Sequence, residues 1–285
     1  MKFLKAILKA SLLSGASAGL IACLPTQQAN AQTMTACPAT NTITAAQFGA
    51  LGSCAGTPEV YGLTFYEMGL CQGNPMTSGT FDPSNCVATF ESTGGEYHDI
   101  AGASVVLGAD AGVRPADGTY DTAYVIFQNV FTLKGNYAIT TDFAGNPGTT
   151  NFYSDGTNYS DGVQNVQIGA TSQAVEFTDT LTTFDGGGGT CDPDWAEPQS
   201  NGTLNAYVTD GSLSVATSCT GATRIVGALV LNSPITIDST VTGLQVDFSV
   251  TNNGMSVIGD NDQATAGPQP AFGSGPFSAT FTILN

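Results

Sequence analysis

From Ala116 to Phe143 the chain alternates. Ala123, Val125, Phe127, Phe131 and Leu133 fall on one side of a period-2 pattern, with Tyr124, Gln128, Val130 and Thr132 on the other. Tyr137, Ile139, Thr141 and Phe143 restart it after Lys134-Gly135-Asn136. Alternation in β-branched and aromatic residues predicts two strands, and the short Gly-Asn break predicts a hairpin between them. The same grammar recurs along the chain. Strands are expected over Pro58–Leu70, Val87–Phe90, Ala103–Leu107, Val163–Ile168, Ala174–Phe184, Leu204–Val208 and Leu213–Val215. Ile225–Leu231 is continuously apolar, as a strand buried on both faces would be. Leu244, Val246, Phe248 and Val250 alternate with polar residues, Asn252-Asn253-Gly254 is a hairpin turn signal, and Met255–Ile258 returns. The chain ends on Phe277, Ala279, Phe281 and Ile283, an alternating strand after the flexible lead Gly267–Gly275. Only Ala45–Leu51 offers a helical turn. The expected fold is all-β, an antiparallel β-sandwich of two packed lobes.

Composition adds a location. Lys2, Lys5 and Lys9 precede the apolar run Ala10–Leu24, and Ala29-Asn30-Ala31 supplies an A-x-A site. That layout predicts a secretory signal peptide over residues 1–31. The run is too short to span a bilayer, and no second run is long enough to do so. Leu20-Ile21-Ala22-Cys23 also resembles the lipobox of bacterial lipoproteins, which makes acylation of Cys23 the minor alternative. The remaining 254 residues (285 − 31) suffice for two modest domains. The turn-rich stretch Asn151–Gly162 places the boundary between lobes of 32–150 and 151–285.

Beyond the leader, Arg114, Lys134 and Arg224 are the only cations, against 23 acids, a formal charge of 3 − 23 = −20. Nucleic-acid binding needs a basic footprint and is excluded; anionic membranes are disfavoured likewise. Such a surface repels its own copies at low salt and is screened in saline surroundings.

Six cysteines follow the leader: Cys37, Cys54, Cys71, Cys86, Cys191 and Cys219. An even number in an exported chain implies disulfides. Sequence alone leaves their connectivity open; pairing of neighbours, Cys37 with Cys54, Cys71 with Cys86 and Cys191 with Cys219, is the expectation. Loops of that length stabilise by roughly 3 kcal/mol each in the chain-entropy picture.

Tyr61–Leu70, then Asp99-Ile100, then Pro115-Ala116-Asp117-Gly118-Thr119-Tyr120 follow in order. That order resembles the prealbumin-like β-sandwich domains of bacterial secreted and surface proteins, in which an opening strand, an Asp-hydrophobic step and a P-x-G-x-Y step succeed one another. Here the last step carries one inserted residue. The resemblance covers less than half the chain. It implies a sandwich with a structural or adhesive role and carries over no catalytic residue.

Chemical constellations are sparse. His98, the only histidine, lies between Glu96 and Asp99, and no G-x-S-x-G elbow accompanies it. Glu67 and Glu176 fall in expected strands, where a glycoside hydrolase places paired carboxylates. Calcium wants carboxylate and carbonyl oxygens on a flexible loop. Asp192, Asp194 and Glu197 make the first candidate, with Asp155–Asp161 and Asp260-Asn261-Asp262 beside it. Trp195, the sole tryptophan, is either a platform for a sugar or an anchor beside a disulfide; packing is the usual role. The expected function is that of a secreted or cell-surface structural or adhesive protein without catalytic activity. A carbohydrate- or calcium-binding module comes second and a secreted hydrolase third. Expected partners are surface glycans, or further copies of the chain joined through the C-terminal strand.

Overall fold

The computed structural model describes residues 34–101, 114–140, 148–158, 165–169, 173–184, 191–260 and 269–284. The expected leader, Cys23, the strand over Ala103–Leu107 and parts of the acidic loops 155–161 and 260–262 lie outside the described residues. A short helix, α1 (Ala45–Leu51), opens the fold. Thr44 caps it: Gln47 N–H donates to Thr44 Oγ1 at 3.3 Å, and Thr44 N–H donates to Gln47 Oε1 at 2.8 Å. This reciprocal box suffices for a helix of seven residues because Phe48 is buried against Tyr137 and Phe152.

The rest is strand. In chain order they are β1 (Ser53–Gly56), β2 (Val60–Cys71), β3 (Cys86–Asp99), β4 (Gly118–Gln128), β5 (Val130–Lys134), β6 (Asn136–Ile139), β7 (Thr150–Ser154) and β8 (Val166–Ile168). Then come β9 (Phe177–Thr180), β10 (Asp194–Gln199), β11 (Gly202–Thr209), β12 (Arg224–Ile237), β13 (Gly243–Ser249), β14 (Met255–Asp260), β15 (Gln269–Ser274) and β16 (Ser278–Leu284). All the pairings between these strands are antiparallel. The fold is the expected all-β, disulfide-stapled sandwich.

One large sheet forms the first layer. β2 is its spine, flanked by β3 on one side; β4 and β5 lie end to end on the other. β12 and β9 continue outward from β4 and β5, and β11 and β10 follow β12. The second layer is three small sheets: β1-β14-β15, β6-β7-β8 and the ribbon β13-β16. Tyr61, Leu63, Phe65, Phe127, Phe131 and Leu133 turn inward from the large sheet and meet Phe152, Phe248, Met255, Val257 and Phe272 of the second layer in one core. The other face of the large sheet is partly covered by loops, through Met76, Phe81, Leu213 and Val215 packed over Tyr124, Ile126 and Val226.

Four expectations are corrected. The two strongest hairpin signals are corners between sheets. Gly135 alone separates β5 from β6, and one residue cannot close a hairpin of two paired strands. β5 stays in the large sheet while β6 pairs β7, with Ser154 N–H donating to Gly135 O at 3.0 Å. Asn252-Asn253-Gly254 does turn the chain, but β13, which leads into it, pairs β16, and β14, which leaves it, pairs β1 and β15. The first four residues of the expected connector Asn151–Gly162 belong to β7. The boundary at 150/151 does not divide the sheets either, because β12 pairs β4 from Arg224↔Gln128 to Ile237↔Gly118. Finally, the lead before the last strand contains β15, whose Phe272 is fully buried.

Disulfides join Cys37 to Cys54, Cys71 to Cys86 and Cys191 to Cys219. The middle bridge links the last residue of β2 to the first of β3, a directly opposed pair. The first holds the N-terminal segment to β1, and the third ties the approach to β10 to the loop after β11. These bonds fit an oxidising compartment. Among the described residues no helix is long and apolar enough to cross a membrane. Non-reducing mass spectrometry of the purified protein is expected to find these six thiols paired; alkylation of Cys71 or Cys219 without reductant would contradict it.

Candidate functional site

The acidic loop around Trp195 is an edge strand. β10 pairs β11 from Asp194↔Tyr207 to Gln199↔Gly202, and Pro198 is tolerated there because an edge strand has one unpaired flank. Successive side chains alternate between faces. Trp195, Glu197 and Gln199 therefore turn inward, and Asp194, Ala196 and Pro198 outward. Asp194 and Glu197 lie on opposite faces and cannot share one cation. Asp192 stands before the strand, its N–H donating to Thr183 Oγ1 at 2.9 Å. Among the described residues no three His, Cys, Asp or Glu side chains gather as a metal site. Trp195 is half-buried, stacks on Phe184 at 6.0 Å and packs against the main core.

Glu197 is the unusual member. It is 6 % exposed, on the inner face opposite Leu204, and Gln199 Nε2 donates to its Oε2 at 3.2 Å. Burial pushes its carboxyl up to about 7. Asp179 on β9 is likewise buried and raised by burial, and its Oδ2 accepts from Ser274 N–H at 2.6 Å. Tyr61 donates from its hydroxyl to Gly275 O at 2.6 Å. These two bonds fasten the end of β15 to the large sheet.

His98 lies within β3, its Nε2 2.6 Å from Glu96 Oε1. Glu67 faces the outer side of β2 directly opposite Glu91 and accepts the Tyr124 hydroxyl at 2.6 Å. Burial and the bond to Glu67 hold that phenol well above its ordinary range. Glu176 is exposed before β9. Between the large sheet and the ribbon lies a cavity of about 40 Å³, lined by Met68, Val125, Leu229, Phe248 and Phe277 among others. For scale, an apolar cavity of about 150 Å³ is what admits benzene. This void is a packing defect.

A further feature, missed in the sequence, stands out on the outer face. Tyr97 is 53 % exposed. Its ring crosses β2 above Gly62: a methyl at Gly62 would meet the Tyr97 hydroxyl at 2.1 Å. The hydroxyl reaches Thr132 on β5, and burial of that end raises its pKa. Tyr66 makes the converse crossing, over β3. A methyl at Gly95, whose φ is +76°, would lie 3.0 Å from its ring. The Arg224 guanidinium rests over Tyr66, 3.8 Å from the ring centroid. Register sets Tyr97 opposite Thr64 and Gln128 opposite Arg224, with Thr64 and Gln128 adjoining the Phe65↔Phe127 pair. One row across four strands thus presents a ring, a hydroxyl, an amide and a guanidinium. Two glycines under two tyrosines, and one cation of three, were the traces of it in the sequence. Comparison with family models, curated proteins and solved structures found no match to this chain.

Proposed function

We propose that the chain is an exported structural and adhesive protein of a cell surface or its surroundings, without catalytic activity. One observation carries the reading: the large sheet ends on β3, fourteen residues long, and among the described residues nothing pairs with its outer flank. A free edge is a template for another strand. Glu91, Glu96 and Asp99 stand on this edge, so pairing between copies is opposed by charge until salt screens it. The disulfides and the high negative charge suit a protein that works outside the cytoplasm. β16 pairs β13 of its own chain, so the β3 edge, rather than the C-terminal strand, is the joining surface of this proposal.

Sedimentation velocity and negative-stain microscopy of residues 32–285 test it. The protein is expected to be monomeric at low ionic strength and to form larger, ordered species as salt approaches roughly 1 M, where the screening length falls to about 3 Å. A monomer at every salt and concentration that also hydrolyses a polysaccharide would overturn the reading.

A further inference from the structure

We propose that the outer face of the large sheet between β3 and β12 binds a neutral, hydroxyl-rich polysaccharide, with the Tyr97 ring as its stacking platform and Arg224 as its principal donor. This specifies the partner of the adhesive surface proposed above. A tyrosine standing off a sheet presents an edge; one laid over a glycine presents its face. Gly62 lets Tyr97 lie flat, since any side chain there would collide with it. An aromatic face is apolar and broad, and it matches the C–H face of a pyranose ring.

Arg224 is prepared in the same way. Stacked on Tyr66, with its Nη1 donating to Thr223 O at 2.9 Å, the guanidinium has already lost rotamer freedom that binding would otherwise cost. Thr64 lies on β2 between Gly62 and Tyr66, and Gln128 stands opposite Arg224 on β4. Gly62, under the Tyr97 ring, and Tyr66, under the guanidinium, stand four residues apart on β2, roughly 13 Å, so the face engages linked sugars rather than one.

Charge selects among glycans. Among the described residues Arg114 is paired with Asp117 and Lys134 with Glu59, whereas Arg224 has no carboxylate partner. One free cation does not offset a formal −20, which repels a polyuronate or a sulfated chain. A polycation would bind acids anywhere on the surface and needs no platform. The neutral polymer remains, and its binding should hardly respond to salt.

The test is affinity electrophoresis and pull-down of the full exported chain against cellulose, xylan, mixed-linkage glucan, galactomannan and, as control, polygalacturonate. Retention by at least one neutral polymer is expected, unchanged from roughly 0.05 to 1 M salt. Tyr97→Ala and Arg224→Gln should each weaken it about tenfold or more, and Arg224→Lys by less. Thr282→Ala, on the exposed side of β16, should leave it intact. Melting temperatures of all variants separate lost binding from lost fold. Gly62→Ala, which lifts the Tyr97 ring, should weaken binding while Tyr97 is still present. No retention on any neutral polymer, wild-type retention by Tyr97→Ala, or preference for polygalacturonate would overturn the inference. A chain that binds no glycan yet assembles in high salt would overturn this inference and leave the structural reading standing.

Discussion

Replacing Phe277 by alanine is expected to lower the unfolding free energy by about 3–5 kcal/mol. The ring is 8 % exposed. It meets Tyr61, Phe127 and Phe248 with centroids 6.1, 5.7 and 5.5 Å away. Those three come from β2, β4 and β13, so Phe277 pins the start of β16 where both layers converge. The neighbouring void of about 40 Å³ shows that packing here is already incomplete, and truncation enlarges it. Each lost kcal/mol lowers the midpoint by roughly 2–4 °C in a domain of this size, so a drop near 10 °C is expected. Deleting residues 276–285 goes further. It strips β13 of its only partner, and an unpaired strand over an apolar layer does not hold. The truncated chain is therefore expected to be unfolded or aggregated by circular dichroism. A truncated chain that stays folded but no longer assembles would mean that β16 is exchanged between copies rather than completing its own sandwich.

The strands were legible because each buries one face. Alternation located β2, β4, β13 and β16 to within a few residues, and the apolar run at Ile225–Leu231 located β12, which is covered on both faces over Ile225–Leu229. Pairing was not legible. Lys134-Gly135-Asn136 and Asn252-Asn253-Gly254 are sound turn chemistry, yet each turn passes the chain from one layer to the other. The choice of partner is made by burial at long range: Ala138 and Phe152 enter the core only if β6 leaves its neighbour for β7. Local signals carry no record of that competition. β10 and β15 were read as loops for a related reason. Prolines and acids lower strand propensity, but β10 is an edge that tolerates both, and β15 is held by Phe272 and by the Asp179 bond to Ser274.

The outer-face platform was hidden more thoroughly. Tyr66 and Tyr97 are 31 residues apart in sequence, and Arg224 follows a further 127 on. Only the pairing of β3, β2, β4 and β12 brings them onto one face. Their residue types are ordinary strand formers, so nothing in their spacing distinguishes them from packing residues. The candidate that did attract notice, Trp195 among prolines and acids, turns its ring inward instead.

Stability is expected to fall as pH rises through the range from about 4.5 to 7, and Glu197 is the source that can be isolated. Its folded-state pKa, about 7, lies above the ordinary carboxylate value of 4.5 because burial penalises the charge. The folded chain therefore holds a proton that the unfolded chain releases. Below about 4.5 both states are protonated and the carboxyl costs nothing. Between the two values the unfolded state gains free energy by ionising, and the fold weakens. Above about 7 both are ionised and the penalty is complete. A rise from 4.5 to about 7 corresponds to about 3 kcal/mol at most. Other acids add repulsion over the same range, so the wild-type curve alone does not assign the effect. Glu197→Gln does. The amide preserves size and can still accept from Gln199, but it carries no charge. The variant is expected to match the wild type at pH 4 and to exceed it by up to about 3 kcal/mol at pH 9. Urea midpoints followed by the fluorescence of Trp195, two residues away on the same inward face, measure the difference directly. Parallel wild-type and variant curves across that range would show that Glu197 ionises freely in the fold, and that the inner face of β10 admits water.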